Sequence, residues 1–299
     1  MTEFFPLVTI AIPTYNRANE FLKQSIQASL SQTYPAIEII VSDNHSSDNT
    51  AEVMEGFADP RIRYFRQPTN IGYMKNYDFC LKQARGEYFS LLPDDDLIDN
   101  DFIDVCMKGV NYKTDIGIIR TGTRVINVNG DVMGIYPNGT VGLPTLELFL
   151  GWFAGKTRPY LCSTLFNTRR LREIGGIQHK YNMLHDVSTI FKLTAQFGRV
   201  DIEEVKASFR KHYGDVTFNE TVARWCDDSM MLLDLMCDLV PENKELIRDK
   251  GTPFLAYLCY NRASAVRSSV RRLFVFFTVF LKFRFRHLPK REQLKHKIR

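Results

Sequence analysis

Short apolar runs rich in β-branched residues alternate with amphipathic stretches along the first hundred positions. Leu7-Val8-Thr9-Ile10-Ala11-Ile12, closed by Pro13, predicts a buried strand, and Ile37-Glu38-Ile39-Ile40-Val41-Ser42 predicts a second. Between them, Phe21, Leu22, Ile26 and Leu30 share one face of a helix expected over 18–32. A helix over 50–57, a strand over 62–65, a helix over 70–84 and a strand over 87–92 follow. Asp48 stands where the N-cap of the 50–57 helix is expected. Alternation of this kind predicts a doubly wound α/β sheet with ligands at the carboxyl ends of its strands.

The pattern then loosens. A helix is expected over 101–112, with strands near 117–120 and 123–127. The turn of a hairpin falls at Asn127-Val128-Asn129-Gly130-Asp131, followed by a loop over 137–144. A strand over 161–166, helices over 168–174 and 186–197, and a strand over 200–209 complete the sheet. From Thr221 the chain reads helical, over 221–240, 242–249 and 253–285. This divides it into a sheet domain, 1–215, and a helical C-terminal region, 216–299.

The sheet rule gathers three polar loops, Pro13–Arg17, 43–48 and 94–96. In the last, Leu91-Leu92-Pro93 runs into Asp94-Asp95-Asp96. Three adjacent carboxylates repel one another, so a cation would stabilise them, while a solvated acidic turn remains the alternative. No GxGxxG follows the first strand and no GxxxxGK[ST] occurs anywhere, so a bound nucleotide would need its phosphates neutralised by other means.

Composition adds a second asymmetry. Of 299 residues 44% are hydrophobic, which suits a real core, and the net charge is +5. Residues 262–299 hold twelve Lys/Arg and only Glu292 as an acid, so this tail carries +11 and the remainder −6. A basic tail points to an anionic partner. Its apolar run, Leu273 to Leu281, is too short to span a bilayer but suits an interfacial anchor. No nucleic-acid module is present. Six scattered cysteines form no CxxC and no Cys/His cluster, which suits a reducing compartment and argues against zinc. No leader peptide is evident at the first residues.

Val8 to Arg17, Ser29-Leu30-Ser31-Gln32-Thr33-Tyr34-Pro35, Glu38 to Asn44, Ser46 to Thr50, Asn70-Ile71-Gly72, Ala84 to Tyr88, the Asp94–Asp96 cluster, Ile174-Gly175-Gly176 and His185-Asp186 occur in order and register. Together they resemble the family-two inverting glycosyltransferases, over roughly 7–215. The resemblance implies the GT-A fold, a mostly parallel sheet flanked by helices, here with a helical extension. It also implies a nucleotide-sugar donor, a Mn²⁺ or Mg²⁺ ion, and a glycan or lipid-linked acceptor of polysaccharide, lipopolysaccharide or capsule synthesis. Donor contacts fall by position on Pro13, Thr14, Tyr15, Arg17, Asp43, Asn70, Gly72 and Asp94. Metal contacts fall on Asp94, Asp95 and Asp96, with Asp95 first, and on His212. The general base falls on Asp186.

Two departures stand out. Pro93 replaces a frequent Asp, and His185 replaces the usual Glu before the base. Trp152 and Trp225 are candidates for stacking on a sugar or for core packing. The expectation is a metal-dependent inverting glycosyltransferase, peripheral on the cytoplasmic face of a membrane. Its rivals are a sugar-nucleotide nucleotidyltransferase and a non-catalytic carbohydrate-binding module.

Overall fold

The computed structural model describes residues 5–18, 20–211, 221–266, 268–284 and 287–288. Nine strands form one sheet in the order β3-β2-β1-β4-β8-β6-β9-β5, with β7 paired to β6. The strands are β1 (Val8–Thr14), β2 (Ile37–Asp43), β3 (Ile62–Arg66), β4 (Tyr88–Leu91), β5 (Leu97–Ile98), β6 (Ile118–Ile126), β7 (Val132–Tyr136), β8 (Thr164–Asn167) and β9 (Arg199–Arg210). The helices are α1 (Glu20–Leu30), α2 (Thr50–Glu55), α3 (Tyr73–Gln83), α4 (Phe102–Gly109), α5 (Thr145–Phe153), α6 (Thr168–Glu173), α7 (His185–Phe197), α8 (Val222–Leu239), α9 (Lys244–Ser264) and α10 (Ser269–Lys282).

Strands β3, β2, β1 and β4 are parallel, as the alternating pattern predicts. Beyond β4 the order mixes. The pairings β4–β8, β8–β6, β6–β7 and β5–β9 are antiparallel and only β6–β9 is parallel. The sheet is thus mixed, parallel through β3, β2, β1 and β4 and again along β6–β9. The strand–helix–strand crossovers that enforce parallel order are confined to the first half, and β6 turns straight back into β7.

Period-two alternation sends one strand into two cores. Val8, Ile10 and Ile12 of β1 and Ile39 and Val41 of β2 pack against α1 and α4, through Leu22, Ile26, Phe102 and Met107. Ala11 and Ile40 face the other side, among Cys80 and Leu81 of α3, Phe149 of α5 and Phe191 of α7. The same cluster takes in Leu232 and Leu233 of α8, Leu255 of α9 and Val279 of α10. The C-terminal helices therefore share a core with the sheet. All six cysteines are buried and unpaired.

Several local expectations shift. The strands expected on either side of residue 122 are one strand, β6, with a register irregularity at Gly122. A Cβ there would stand 2.8 Å from the Tyr136 carbonyl, so glycine lets the start of the 137–144 loop approach. The helix break expected at Pro253 falls later, between Ser264 and Ser269, because α9 runs through the proline. Asn49, not Asp48, is the N-cap of α2. Asp48 Oδ1 instead accepts from the Thr50 N–H at 3.1 Å and hydroxyl at 2.6 Å, and Oδ2 accepts from Ala18 N at 3.0 Å. Asp48 thereby ties the loop after β1 to the start of α2.

Candidate active site

The carboxyl ends of β1, β2 and β4 open onto a cleft of about 1840 Å³. Its floor holds Pro13 and Thr14 at the end of β1, Tyr15 and Arg17 after it, Asn44 after β2, Asn70 and Gly72 before α3, and Asp94, Asp95 and Asp96 after β4. Asp186, Trp225 of α8 and Phe254, Tyr257 and Arg262 of α9 line it from the other half of the chain. Residues almost 250 positions apart thus share one concavity.

The floor is held by side-chain amides. Asn44 Nδ2 donates to Asn70 Oδ1 at 2.9 Å, and Asn44 Oδ1 accepts from Ile71 N at 2.9 Å. Asn70 Oδ1 also accepts from Gly72 N at 2.9 Å. Gly72 has φ +82°, a left-handed turn that leads the chain into α3 at little steric cost. Asn44 has a neighbour's place in the resemblance but is missing from the residues it assigns. Its signal was its position one residue past a strand that ends in Asp43.

The three acids differ. Asp94 is 9% exposed. Burial and the charge of Asp95 push its carboxyl up to about 7, against the pull of the Thr14 hydroxyl, Arg17 and the Tyr15 N–H. Asp95 Oδ2 lies 3.9 Å from the Arg17 guanidinium. Asp96 turns inward, where its Oδ1 accepts from Arg210 N at 2.8 Å. Arg210 Nε donates to the Asp95 carbonyl at 2.8 Å, so the end of β9 braces the acidic turn from both sides. Among the described residues no three His, Cys, Asp or Glu side chains converge as a metal set. His212 lies outside the described residues.

Asp43 is fully buried and does not line the cleft. Its Oδ1 accepts from Ser46 N at 2.8 Å, and its Oδ2 accepts from the Tyr64 hydroxyl at 2.9 Å and lies 3.6 Å from Arg66 Nε. In this arrangement it shapes the loop behind the floor.

Asp186 is the second residue of α7, where the helix dipole favours an acid. Its Oδ1 accepts from Val187 N at 2.8 Å. Burial nevertheless raises its pKa above the ordinary carboxylate value, with His185, the neighbouring amides and His179 opposing. His185 Nδ1 donates to the Asn182 carbonyl at 2.7 Å, and its ring sits 6.2 Å from those of Tyr73 and Tyr77. The residue in the place of the usual Glu is thus held against α3.

The aromatic wall was hardly legible in sequence. Trp152 and Trp225 belong both to the core and to the cleft lining. The Arg262 guanidinium lies 4.3 Å from the Trp225 ring centre, and that of Arg158 lies 3.8 Å from the Tyr136 ring centre. Tyr160 stacks on Phe209 at 4.4 Å. Each pair joins segments distant in sequence, and no local pattern announces such a pairing.

Residues 9–134 match the family described as Glycosyl transferase family 2. An uncharacterized glycosyltransferase of Rickettsia felis is 31% identical over 267 residues, covering 84% of this chain and 41% of the relative. Chondroitin synthase of Pasteurella multocida is 30% identical over 130 residues, 43% of this chain and 13% of that protein. The chain spans about two fifths of the length of the Rickettsia felis relative. Among solved structures, S. aureus TarS 1–349 in complex with UDP-GlcNAc superposes with a TM-score of 0.61 at 13% identity, covering 93% of this chain and 89% of that one. The mannosyltransferase PcManGT from Pyrobaculum calidifontis, in complex with GDP-Man and Mn²⁺, superposes with a TM-score of 0.55 at 16% identity, covering 93% and 81%. These likenesses establish the GT-A fold.

Proposed function

We propose that this chain, whose residues 9–134 match glycosyl transferase family 2, transfers a sugar, with inversion, from a nucleoside diphosphate sugar to a hydroxyl of a glycan or lipid-linked acceptor. The observation that carries this reading is that Asp94, Asp95 and Asp186 line one cleft although they come from separate halves of the chain. A single displacement needs a group to stabilise the leaving diphosphate and a base for the incoming hydroxyl, on different sides of the sugar.

Pro13, Thr14, Tyr15, Arg17, Asn44, Asn70 and Gly72 bind and orient the nucleotide. Asp43 acts from behind, through the 43–48 loop. Asp186 takes the acceptor proton, and its raised pKa makes it a stronger base than an exposed carboxylate. Asp94 and Asp95 would hold a Mn²⁺ or Mg²⁺ ion, and the donor set fits. Asp94 carries a charge penalty from Asp95 that a cation relieves, and hard carboxylate oxygens suit both ions. Bound there, the ion supplies positive charge to the departing diphosphate. Asp96 positions the turn rather than the ion.

TarS with UDP-GlcNAc among the structural neighbours makes UDP-sugars the first donors to test. α10 supports peripheral attachment to an anionic membrane on its cytoplasmic face. Phe276 and Val279 pack inward, while Val270, Leu273, Phe274 and Phe277 are at least 55% exposed beside Arg271, Arg272 and Lys282. Among the described residues no helix is long and apolar enough to cross a membrane.

The deciding experiment is a thermal-shift panel of UDP-, GDP-, dTDP- and CDP-sugars with Mn²⁺ and with chelator, followed by turnover of the donor that binds. Asp186→Asn is expected to keep donor binding and lose transfer. Unchanged transfer in that variant would overturn the base assignment, and absence of transfer by the unaltered chain with every donor would favour the nucleotidyltransferase or the non-catalytic module.

A further inference from the structure

Asp228 of α8 is a fully buried carboxylate outside the cleft lining. Three main-chain donors and one imidazole from a single segment converge on it. Its Oδ1 accepts from Tyr181 N at 3.0 Å and lies 2.6 Å from His179 Nδ1. Its Oδ2 accepts from Met183 N at 2.9 Å and Leu184 N at 3.1 Å. The segment 179–184 has neither helix nor strand, passes through a left-handed Asn182 at φ +58°, and runs directly into α7. Asp186 comes two residues after the last of those amides.

A carboxylate buried without donors would be costly, and an irregular segment buried without acceptors would be costly too. Here each satisfies the other. The segment has some order of its own, since Asn182 Oδ1 accepts from His179 N at 3.0 Å. The contact with α8 decides where that small loop sits against the rest of the molecule. Among the described residues Asp186 is hydrogen-bonded locally, to the next amide. Its direction into the cleft therefore follows the main chain that precedes it.

We propose that Asp228 is the positioning residue for Asp186, fixing through segment 179–184 the angle at which that carboxylate enters the cleft. The helical C-terminal region then belongs to the catalytic apparatus, not only to the lining of the cleft. This rests on the reading of Asp186 as the base.

The test compares Asp228→Asn with Leu232→Ala, a core deletion one turn further along α8, in turnover of the sugar nucleotide that the panel selects. UDP-GlcNAc is the first probe, with UDP release as the readout. Asp228→Asn is expected to lose at least tenfold in kcat with donor Kd unchanged within twofold. Leu232→Ala, with an equal or larger fall in Tm, keeps kcat within twofold. In an Asp186→Asn background, Asp228→Asn should cost less than twofold more. His179→Gln removes the imidazole 2.6 Å from Asp228 and keeps the carboxylate, and a loss of two- to fivefold is expected should Asp228→Asn fail to fold. Loss of kcat that tracks Tm in both helix variants, or losses from Asp186→Asn and Asp228→Asn that multiply, would overturn the proposal. If Asp186→Asn alone leaves turnover intact, the base assignment fails and the positioning role fails with it. If Asp186→Asn is inactive and Asp228→Asn is not, only the positioning role fails.

Discussion

The main-chain N–H of Arg210 donates to Asp96 Oδ1 at 2.8 Å, so the last residue of β9 closes the acidic turn that follows β4. Asp96→Ala would leave that buried N–H without its acceptor and cost about 1–3 kcal/mol. Asp95→Ala keeps the carbonyl that accepts from Arg210 Nε and removes a carboxylate 3.9 Å from Arg17. It should leave Tm nearly unchanged and abolish the Mn²⁺-dependent part of the donor-induced shift. Differential scanning fluorimetry with and without donor reads both. Equal destabilisation by the two variants would contradict the division of labour among the acids.

Asp186 links rate to pH. As a base it works deprotonated, and burial raises its pKa, so kcat should rise with pH along a limb whose midpoint lies above the ordinary carboxylate value of about 4. A pH–rate profile on a donor bound at saturation checks this. A midpoint at or below that value would sink the assignment.

The same shift carries a stability cost. A group whose folded pKa is raised favours the fold below its unfolded pKa and opposes it as pH rises through the folded value. Asp186→Asn should therefore raise Tm at pH 7–8, with the gain fading below about pH 4. Thermal denaturation across that range measures it.

Beneath β6 and β9, Arg120 and Asp201 form a buried pair at 3.4 Å. Asp201 also accepts from Arg199 Nε at 2.6 Å, Asn138 Nδ2 at 2.9 Å and the Thr140 hydroxyl at 3.0 Å. Removing one member of such a pair typically costs about 3–5 kcal/mol. Asp201→Asn should cost more than Arg120→Gln, because Asp201 serves two arginines. Urea midpoints of the two variants give the order.

On α10, Leu273→Glu with Phe277→Glu should reduce pelleting with vesicles containing phosphatidylglycerol at least tenfold and leave Tm unaltered, since both side chains already face water. Pelleting unaffected by the pair would remove the membrane reading.

The donor half of the site was legible because its physics is local. Ile10, Ile12, Ile39 and Val41 announce buried strands, and the polar residues after them mark the ends where ligands gather. The other half of the cleft was not, because its side chains act across distance. Thr145–Phe153 carries six large apolar side chains in nine positions, and its helical period was hidden by that density. Pro253 signalled a helix break that tertiary packing overrode, since Leu255 and Cys259 just beyond it are fully buried. Asp228 gives no sign in a helix where it follows Asp227, because its partners lie more than forty positions upstream. Even Asp43, well placed in sequence, has its oxygens taken by Ser46 and Tyr64, which no motif displays.

The sealed cysteines have a practical corollary. All six thiols are buried, and burial pushes Cys80, for one, up to about 12. Alkylation needs an accessible thiolate, so the native chain should be silent to maleimide dyes. Met133 is 60% exposed on the rim of the cleft. A single cysteine there would carry a fluorophore alone, with no native thiol replaced, and donor arrival could be timed by stopped-flow on the otherwise unaltered protein.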